Sequence, residues 1–158
     1  MNAEEKIFTA TSIIPVLETW KKEGPVVFTN GCFDIVHLGH VDYLEKARNL
    51  GTKLIVGVNA DSSITKLKGF ERPIVNEYAR MRMLASFFFV DAVILFSEDT
   101  PIDLISALKP DILVKGDDYT IDKIVGADVV LKNGGKVITI PLVQGYSTSS
   151  ILNKIKTL

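Results

Sequence analysis

The sequence predicts a doubly wound α/β fold, a sheet of five mostly parallel strands with helices on both faces. Three observations carry that expectation. Short, near-continuous apolar runs alternate with segments of helical spacing, and the connections between them are short, as right-handed parallel crossovers require. The runs lack the in-out alternation of a half-exposed sheet, which marks strands buried on both sides. Polar clusters follow four of the runs, at what would be their carboxyl ends, where an open parallel sheet places its ligand crevice.

Taken in order, Thr11 or Ser12 can cap a first helix carrying Ile13, Ile14, Val16, Leu17 and Trp20, stopped by Gly24-Pro25. Residues 1–24 thus read as a helical extension packed on a single domain spanning 1–158. Val26-Val27-Phe28 begins the first strand, and Tyr43, Leu44, Ala47 and Leu50 give the following helix its apolar face before Gly51. Lys53 to Val58 is the second strand, with Asn59-Ala60-Asp61 at its end. A polar loop is expected from Ser62 to Pro73. Glu77 to Val90 reads as a helix, Asp91 to Phe96 as a strand, and Thr100-Pro101 as the start of a helix that stops at Lys109-Pro110. Asp111 to Val114 is the fourth strand, closing in Lys115-Gly116-Asp117-Asp118-Tyr119. Ile124 to Lys132 is expected to be helical and Lys136 to Ile140 is the fifth strand. After Gly145, the run from Tyr146 to Ser150 starts a closing helix. The Phe87-Phe88-Phe89 run fits core or a subunit contact, so a homo-oligomer is expected.

Composition narrows the function. The 158 residues are 47% hydrophobic and 23% charged, a normal globular mixture, and the net charge of −1 gives no global attraction to nucleic acid or an anionic membrane. Any anion site must therefore be local, which suits a small ligand. There is no apolar stretch of membrane-spanning length and no basic-then-apolar leader, so a cytoplasmic protein is expected. The one cysteine, Cys32, reads as a small buried hydrophobe next to the site, since no nucleophile-activating partner accompanies it.

The chemistry concentrates between Thr29 and His40, at a strand-to-helix junction. Such a junction offers free backbone N–H groups and the positive end of a helix dipole, a natural phosphate site. The two histidines of the chain, His37 and His40, bracket Gly39 there in an H-x-G-H pattern that adds imidazole donors and lets a ligand approach the backbone. With no third histidine or paired cysteine, the pattern favours phosphate over a structural zinc ion.

The run from Gly31 to His40 resembles the signature of the cytidylyltransferase-like nucleotidyltransferases, Rossmann-like α/β domains whose H-x-G-H histidines contact nucleoside triphosphate phosphates. The likeness extends through Lys68-Gly69, Arg72-Pro73, Arg80-Met81, Phe96 to Pro101, Val114 to Tyr119 and Gly145 to Leu152, and is greatest to the adenylyltransferases of ADP-heptose synthesis. It implies transfer of AMP from ATP to D-glycero-D-manno-heptose 1-phosphate, with Mg²⁺, and a separate heptose kinase as a working partner. His37, His40 and Lys68 would be catalytic. Asn30, Gly31, Cys32, Phe33, Asp34, Gly39, Arg80, Lys115, Gly116, Asp118, Tyr146, Ser147 and Thr148 would hold the nucleotide. Asp61, Lys68 and Asp118 would meet the acceptor. No metal ligands are assigned.

Competing readings stay open at this level. Lys68 can be a solvated lysine, Ser147 a plain helix cap, Arg80 a helix-surface ion pair and Asp34 a local turn former. Gly116-Asp117-Asp118 also resembles the glycerol-3-phosphate cytidylyltransferases, while Pro141 to Gln144 lacks the arginine those enzymes carry before the final serine-threonine. A cytidylyltransferase acting on a polyol or sugar phosphate is therefore one alternative, and a non-catalytic nucleotide-binding module is another.

Overall fold

The computed structural model describes residues 2–158. Six strands form one sheet: β1 (Ile7–Phe8), β2 (Val26–Gly31), β3 (Lys53–Asn59), β4 (Ala92–Phe96), β5 (Ile112–Gly116) and β6 (Lys136–Ile140). Their spatial order is β1-β4-β3-β2-β5-β6 and every pairing is parallel. The expected five strands become six because Ile7 and Phe8 pair with Val93 and Ile94 at the edge. Two residues are too few for a strand pattern to register in sequence. The N-terminal extension is thus partly a member of the sheet.

Seven α-helices accompany the strands: α1 (Ile14–Glu23), α2 (Leu38–Arg48), α3 (Asp61–Lys68), α4 (Glu77–Ala85), α5 (Ile102–Leu108), α6 (Ala127–Lys132) and α7 (Thr148–Lys156). Successive residues of β2 go to opposite faces, and each face meets its own helices. Val27, Leu54, Val56, Val93 and Val114 pack with Tyr43, Leu44 and Ala47 of α2 and Leu84 and Ala85 of α4. Val26, Phe28, Ile55, Ile94 and Leu113 pack with Leu17 of α1, Leu104, Ile105 and Leu108 of α5 and Val130 of α6. Two carboxylates secure the strand starts from outside the ladder. Asp91 accepts from the Leu54 N–H and from Arg48 Nε, and Asp111 accepts from the Val26 N–H.

The largest departure from expectation lies at 61–68, where the expected loop is a helix with Ile64 and Ser63 buried on its inner side. Lys68 closes that helix, and Gly69, at φ 95°, turns the chain out of it. Neither Thr11 nor Ser12 caps the first helix: its N-cap is Ile13, with no side-chain cap, and Thr9 and Ser12 form a turn ahead of it in which each hydroxyl accepts from the other's N–H. Near 124 a 3₁₀ turn at Ile121–Lys123 comes first, and the helix starts only at Ala127. In the phenylalanine run, Phe89 is buried, Phe87 stacks on it at 5.1 Å, and Phe88 is 84% exposed.

Strand order reverses direction at β2: β3 and β4 lie to one side, β5 and β6 to the other. A crevice opens beyond the carboxyl ends of β2 and β5 at this point, where neighbouring crossovers diverge to opposite faces of the sheet.

Candidate active site

The crevice has a volume of about 770 Å³. Its floor is the turn after β2, where Phe33 and Ile35 both adopt positive φ (50° and 57°). A β-branched residue in that conformation is unusual, and the surroundings hold it there. Asp34, 2% exposed, accepts from the backbone N–H groups of Ile74 and Val75 and from Arg72 Nε at 2.7 Å. Burial alone would push its carboxyl up, but these donations outweigh it and hold the group below the usual carboxylate value. The turn-former reading of Asp34 therefore gives way to a tertiary one: it fastens the segment before α4 to the floor. From the other side the Thr148 hydroxyl donates to the Asp34 carbonyl at 2.6 Å, bringing the start of α7 against the same turn.

His37 is the N-cap residue of α2 and His40 lies in its first turn. Their rings stack at 3.8 Å, and Phe33 meets His40 edge-on at 5.3 Å. Burial, then the neighbouring His37 and Lys68, lower the His40 pKa to about 4, and burial lowers that of His37. Both imidazoles are neutral near pH 7 and present N–H donors without a fixed charge. Nδ1 of each ring is buried without a partner, and Asn30 Oδ1 beside them is in the same condition. Native structures leave few buried polar atoms unpaired, so these three mark places where a further hydrogen bond can form. A Cβ at Gly39 would lie 3.0 Å from the His37 ring, so glycine lets that ring fold over the helix start.

Two helix N-termini meet in the crevice. The His37 carbonyl accepts from His40 and Val41, leaving the Leu38 and Gly39 N–H groups without intrahelical partners. Ser147 caps α7 in a reciprocal pair with Ser150, so its capping role is realised while its hydroxyl hydrogen stays available. Lys115, at the end of β5, donates to the Asn30 carbonyl at 3.1 Å and lies 5.8 Å over the Tyr119 ring. Burial lowers its pKa to about 8, opposed by Asp118 and Cys32. A Cβ at Gly116 would come within 2.5 Å of Asp118 Oδ1, so glycine there admits that carboxylate.

The crevice thus gathers Asn30, Gly31, Cys32, Phe33, Asp34, His37, Gly39, His40, Lys68, Lys115, Gly116, Asp118, Tyr146, Ser147 and Thr148. Arg80 and Asp61 stand apart from it. Arg80 is fully buried and donates to the carbonyls of Val75, Cys32 and Asn59 and to Asp61 Oδ1. Its guanidinium is consumed in tying the end of β3 to the floor, which excludes both a direct phosphate contact and a surface ion pair. Asp61 is turned toward that guanidinium at 2.8 Å. Arg72, Tyr43 and Asn59, to which the sequence assigned no site role, also line the crevice. Arg72-Pro73 carries part of the family likeness and Asn59 lies in the polar end of the second strand, while Tyr43 reads simply as helix core.

Fold and crevice together define a phosphate-handling α/β domain with its site at the topological switch. Comparison with known proteins places it more narrowly. A family model described as cytidylyltransferase-like matches residues 28–154. The chain is 51% identical over 152 residues to the bifunctional protein HldE of Methylobacillus flagellatus, covering 96% of this chain and 31% of that protein. It is 54% identical over 153 residues to HldE of Campylobacter jejuni subsp. doylei, covering 97% and 32%. It therefore spans about a third of the length of these relatives. Among solved structures, the lipopolysaccharide core biosynthesis protein of Thermoplasma volcanium is 31% identical with a TM-score of 0.60, covering 78% of this chain and 99% of that one. Pantoate-beta-alanine ligase of Francisella tularensis shares the fold, at 15% identity and a TM-score of 0.62 over 96% of this chain and 78% of that one. The chain belongs to the cytidylyltransferase-like family.

Proposed function

We propose that the chain transfers AMP from ATP to D-glycero-D-manno-heptose 1-phosphate, forming ADP-heptose and pyrophosphate. The observation that carries the reaction type is the stacked, neutral pair His37 and His40 at one helix N-terminus, facing a second helix N-terminus across the crevice. This is machinery for holding phosphate oxygens through hydrogen-bond donors and helix dipoles. A phosphate-monoester nucleophile, with a second pKa of about 6, is already ionised and needs no general base. In the reaction an acceptor phosphate oxygen bonds to the α-phosphorus of ATP, the bond to the bridging oxygen of pyrophosphate breaks, and pyrophosphate leaves with that electron pair.

His40 donates to an α-phosphate oxygen as charge gathers there, and His37 with the α2 N-terminus holds the β-phosphate. The α7 N-terminus and Ser147 take the terminal phosphates, and Lys68 bridges toward the acceptor. Preorganised donors of this kind act mainly by electrostatic stabilisation and positioning. Of the crevice carboxylates, Asp34 is fully engaged by Arg72, Ile74 and Val75 and Asp99 pairs with Lys66, so Asp118 is the one that would suit Mg²⁺, a hard ion that binds through one or two carboxylates plus substrate phosphates. When bound, that ion would neutralise triphosphate charge.

The heptose acceptor rests on the residue-level resemblance and on the relatives named HldE and lipopolysaccharide core biosynthesis protein. Asp117, part of the likeness to glycerol-3-phosphate cytidylyltransferases, accepts from the Leu142 N–H at 3.3 Å and does not line the crevice, which favours the first reading. The acceptor would be supplied by a kinase-type reaction in the cytoplasm. A second copy of the chain would pack at Phe88, and a Phe88→Asp change that leaves the sedimentation coefficient unaltered would remove that contact. The decisive assay incubates the protein with Mg²⁺, each nucleoside triphosphate and candidate sugar phosphates, and measures pyrophosphate. Release with ATP and the heptose phosphate is expected; release with CTP and glycerol 3-phosphate alone would replace the acceptor and nucleotide, and none with any pair would refute transfer.

A further inference from the structure

We propose that Arg72 is the acceptor-phosphate anchor of this crevice, binding the phosphomonoester of the incoming substrate through Nη2 beside Lys68. The proposal rests on the nucleotidyl-transfer reading and assigns it one more residue. Arg72 is held as a component of a built site. Its Nε donates to Asp34, its carbonyl accepts from the Thr65 hydroxyl at 2.8 Å, and its N–H donates to the Gly69 carbonyl. Its side chain is 14% exposed, and Nη2 is buried with no hydrogen-bond partner. Asp34, the group that orients it, takes its remaining donations from Ile74 and Val75. One edge of a fixed guanidinium is thus spent on the floor, while Nη2 keeps two unpaired donors just beneath the crevice surface, a geometry that favours arginine over lysine for an oxyanion that settles onto it.

Position assigns the anion. The crevice is asymmetric about β2. On the β5 side lie half-exposed Tyr119 and Leu142, beside Lys115 and Gly116, apolar surface suited to a nucleobase. In the middle lie the two imidazoles and the two helix N-termini, suited to a triphosphate. On the β3 side the lining cations are Lys68, at the end of α3, and Arg72, after the Gly69 turn. With the base at one end and the triphosphate at the centre, the second anion of the reaction belongs at Lys68 and Arg72. The Lys68 charge already reaches His40, so this end is close enough to deliver a nucleophile to the α-phosphate.

The test is a pair of variants, Arg72→Gln and Arg72→Lys, titrated calorimetrically with ATP and, separately, with D-glycero-D-manno-heptose 1-phosphate and inorganic phosphate, alongside the steady-state KM for each substrate. A charge-assisted hydrogen bond of this kind corresponds to about ten- to a hundred-fold in affinity. Arg72→Gln is expected to weaken the phosphomonoester by that factor, and its KM likewise, while ATP affinity changes less than about twofold; Arg72→Lys, which keeps the charge but not the fork, should recover part of the loss. Because Arg72 also pairs with buried Asp34, Arg72→Gln is expected to lower the melting temperature in any case; a purely structural Arg72 would weaken both ligands equally, and that outcome, or unchanged phosphomonoester binding, overturns the proposal. If the unaltered protein binds the phosphomonoester yet transfers no nucleotide, the function reading fails while the binding titrations still decide Arg72.

Discussion

The imidazole of His40 lies stacked on that of His37 at 3.8 Å within reach of the Lys68 charge, so a proton on His40 is opposed from two directions as well as by burial. Its pKa of about 4 lies below the ordinary 6.5. Between those values the unfolded chain binds more protons than the folded one, so folding stability should fall as pH drops through that window. Bound triphosphate reverses the balance by favouring the imidazolium, so nucleotide binding in the same window should take up protons. Calorimetry in buffers of different ionisation enthalpy reads that uptake; a buffer-independent heat would contradict it.

His40→Ala should separate chemistry from folding. The ring's contacts are the stack on His37 and the edge of Phe33, and its Nδ1 has no hydrogen-bond partner, so its loss breaks no hydrogen bond of the fold. Loss of a transition-state donor typically costs about 10²- to 10³-fold in rate. A drop of that size in kcat with a nearly unchanged melting temperature is expected, and near-normal kcat would remove His40 from the reaction.

Lys115 sets an alkaline limit. Its pKa of about 8 means that the cation at the end of β5 is lost above that pH, two residues before Asp117 and beside Asn30. The KM for ATP should rise above about pH 8 in the unaltered protein. In Lys115→Met the KM should already be high and the alkaline rise should disappear; persistence of the rise would assign it to another group.

Arg80→Met should unfold the site from beneath. It strands the carbonyls of Val75, Cys32 and Asn59 and leaves Asp61 without its partner. Asp61 is itself partly exposed, so the cost comes chiefly from the stranded carbonyls, about 1–3 kcal/mol for each one left buried and unpaired, which urea denaturation would report as a lowered midpoint. An unchanged midpoint with lost activity would instead restore Arg80 to direct ligand contact.

Thr148→Val tests the tie between α7 and the floor. The variant keeps the shape but loses the donation to the Asp34 carbonyl, a hydrogen bond of about 1 kcal/mol. Because α7 carries no fully buried side chain, this bond is a large part of what seats its N-terminus. ATP affinity should weaken about fivefold with little change in acceptor KM, measured by the same titrations; equal effects on both would point to general loosening.

Local chemistry, already present in the chain order, determined the alternation of apolar runs and helical segments, the H-x-G-H turn at the first long strand and the polar clusters at strand ends. Those depend on side-chain periodicity and on glycine, which act within a few residues. Tertiary structure alone decided what required distant partners. Ile7 and Phe8 become a strand only because β4 offers an edge, and residues 61–68 become a helix because Ile64 finds a buried place. Arg80 and Asp34 look from sequence like site residues or surface polar groups. Their partners lie at Cys32, Asn59 and Asp61 for the one and at Arg72, Ile74 and Val75 for the other, and burial turns both into fastenings of the crevice. The motif at His37 and His40 therefore announced phosphate chemistry by itself, while the geometry that aims it depended on charged groups whose roles only long-range packing could assign.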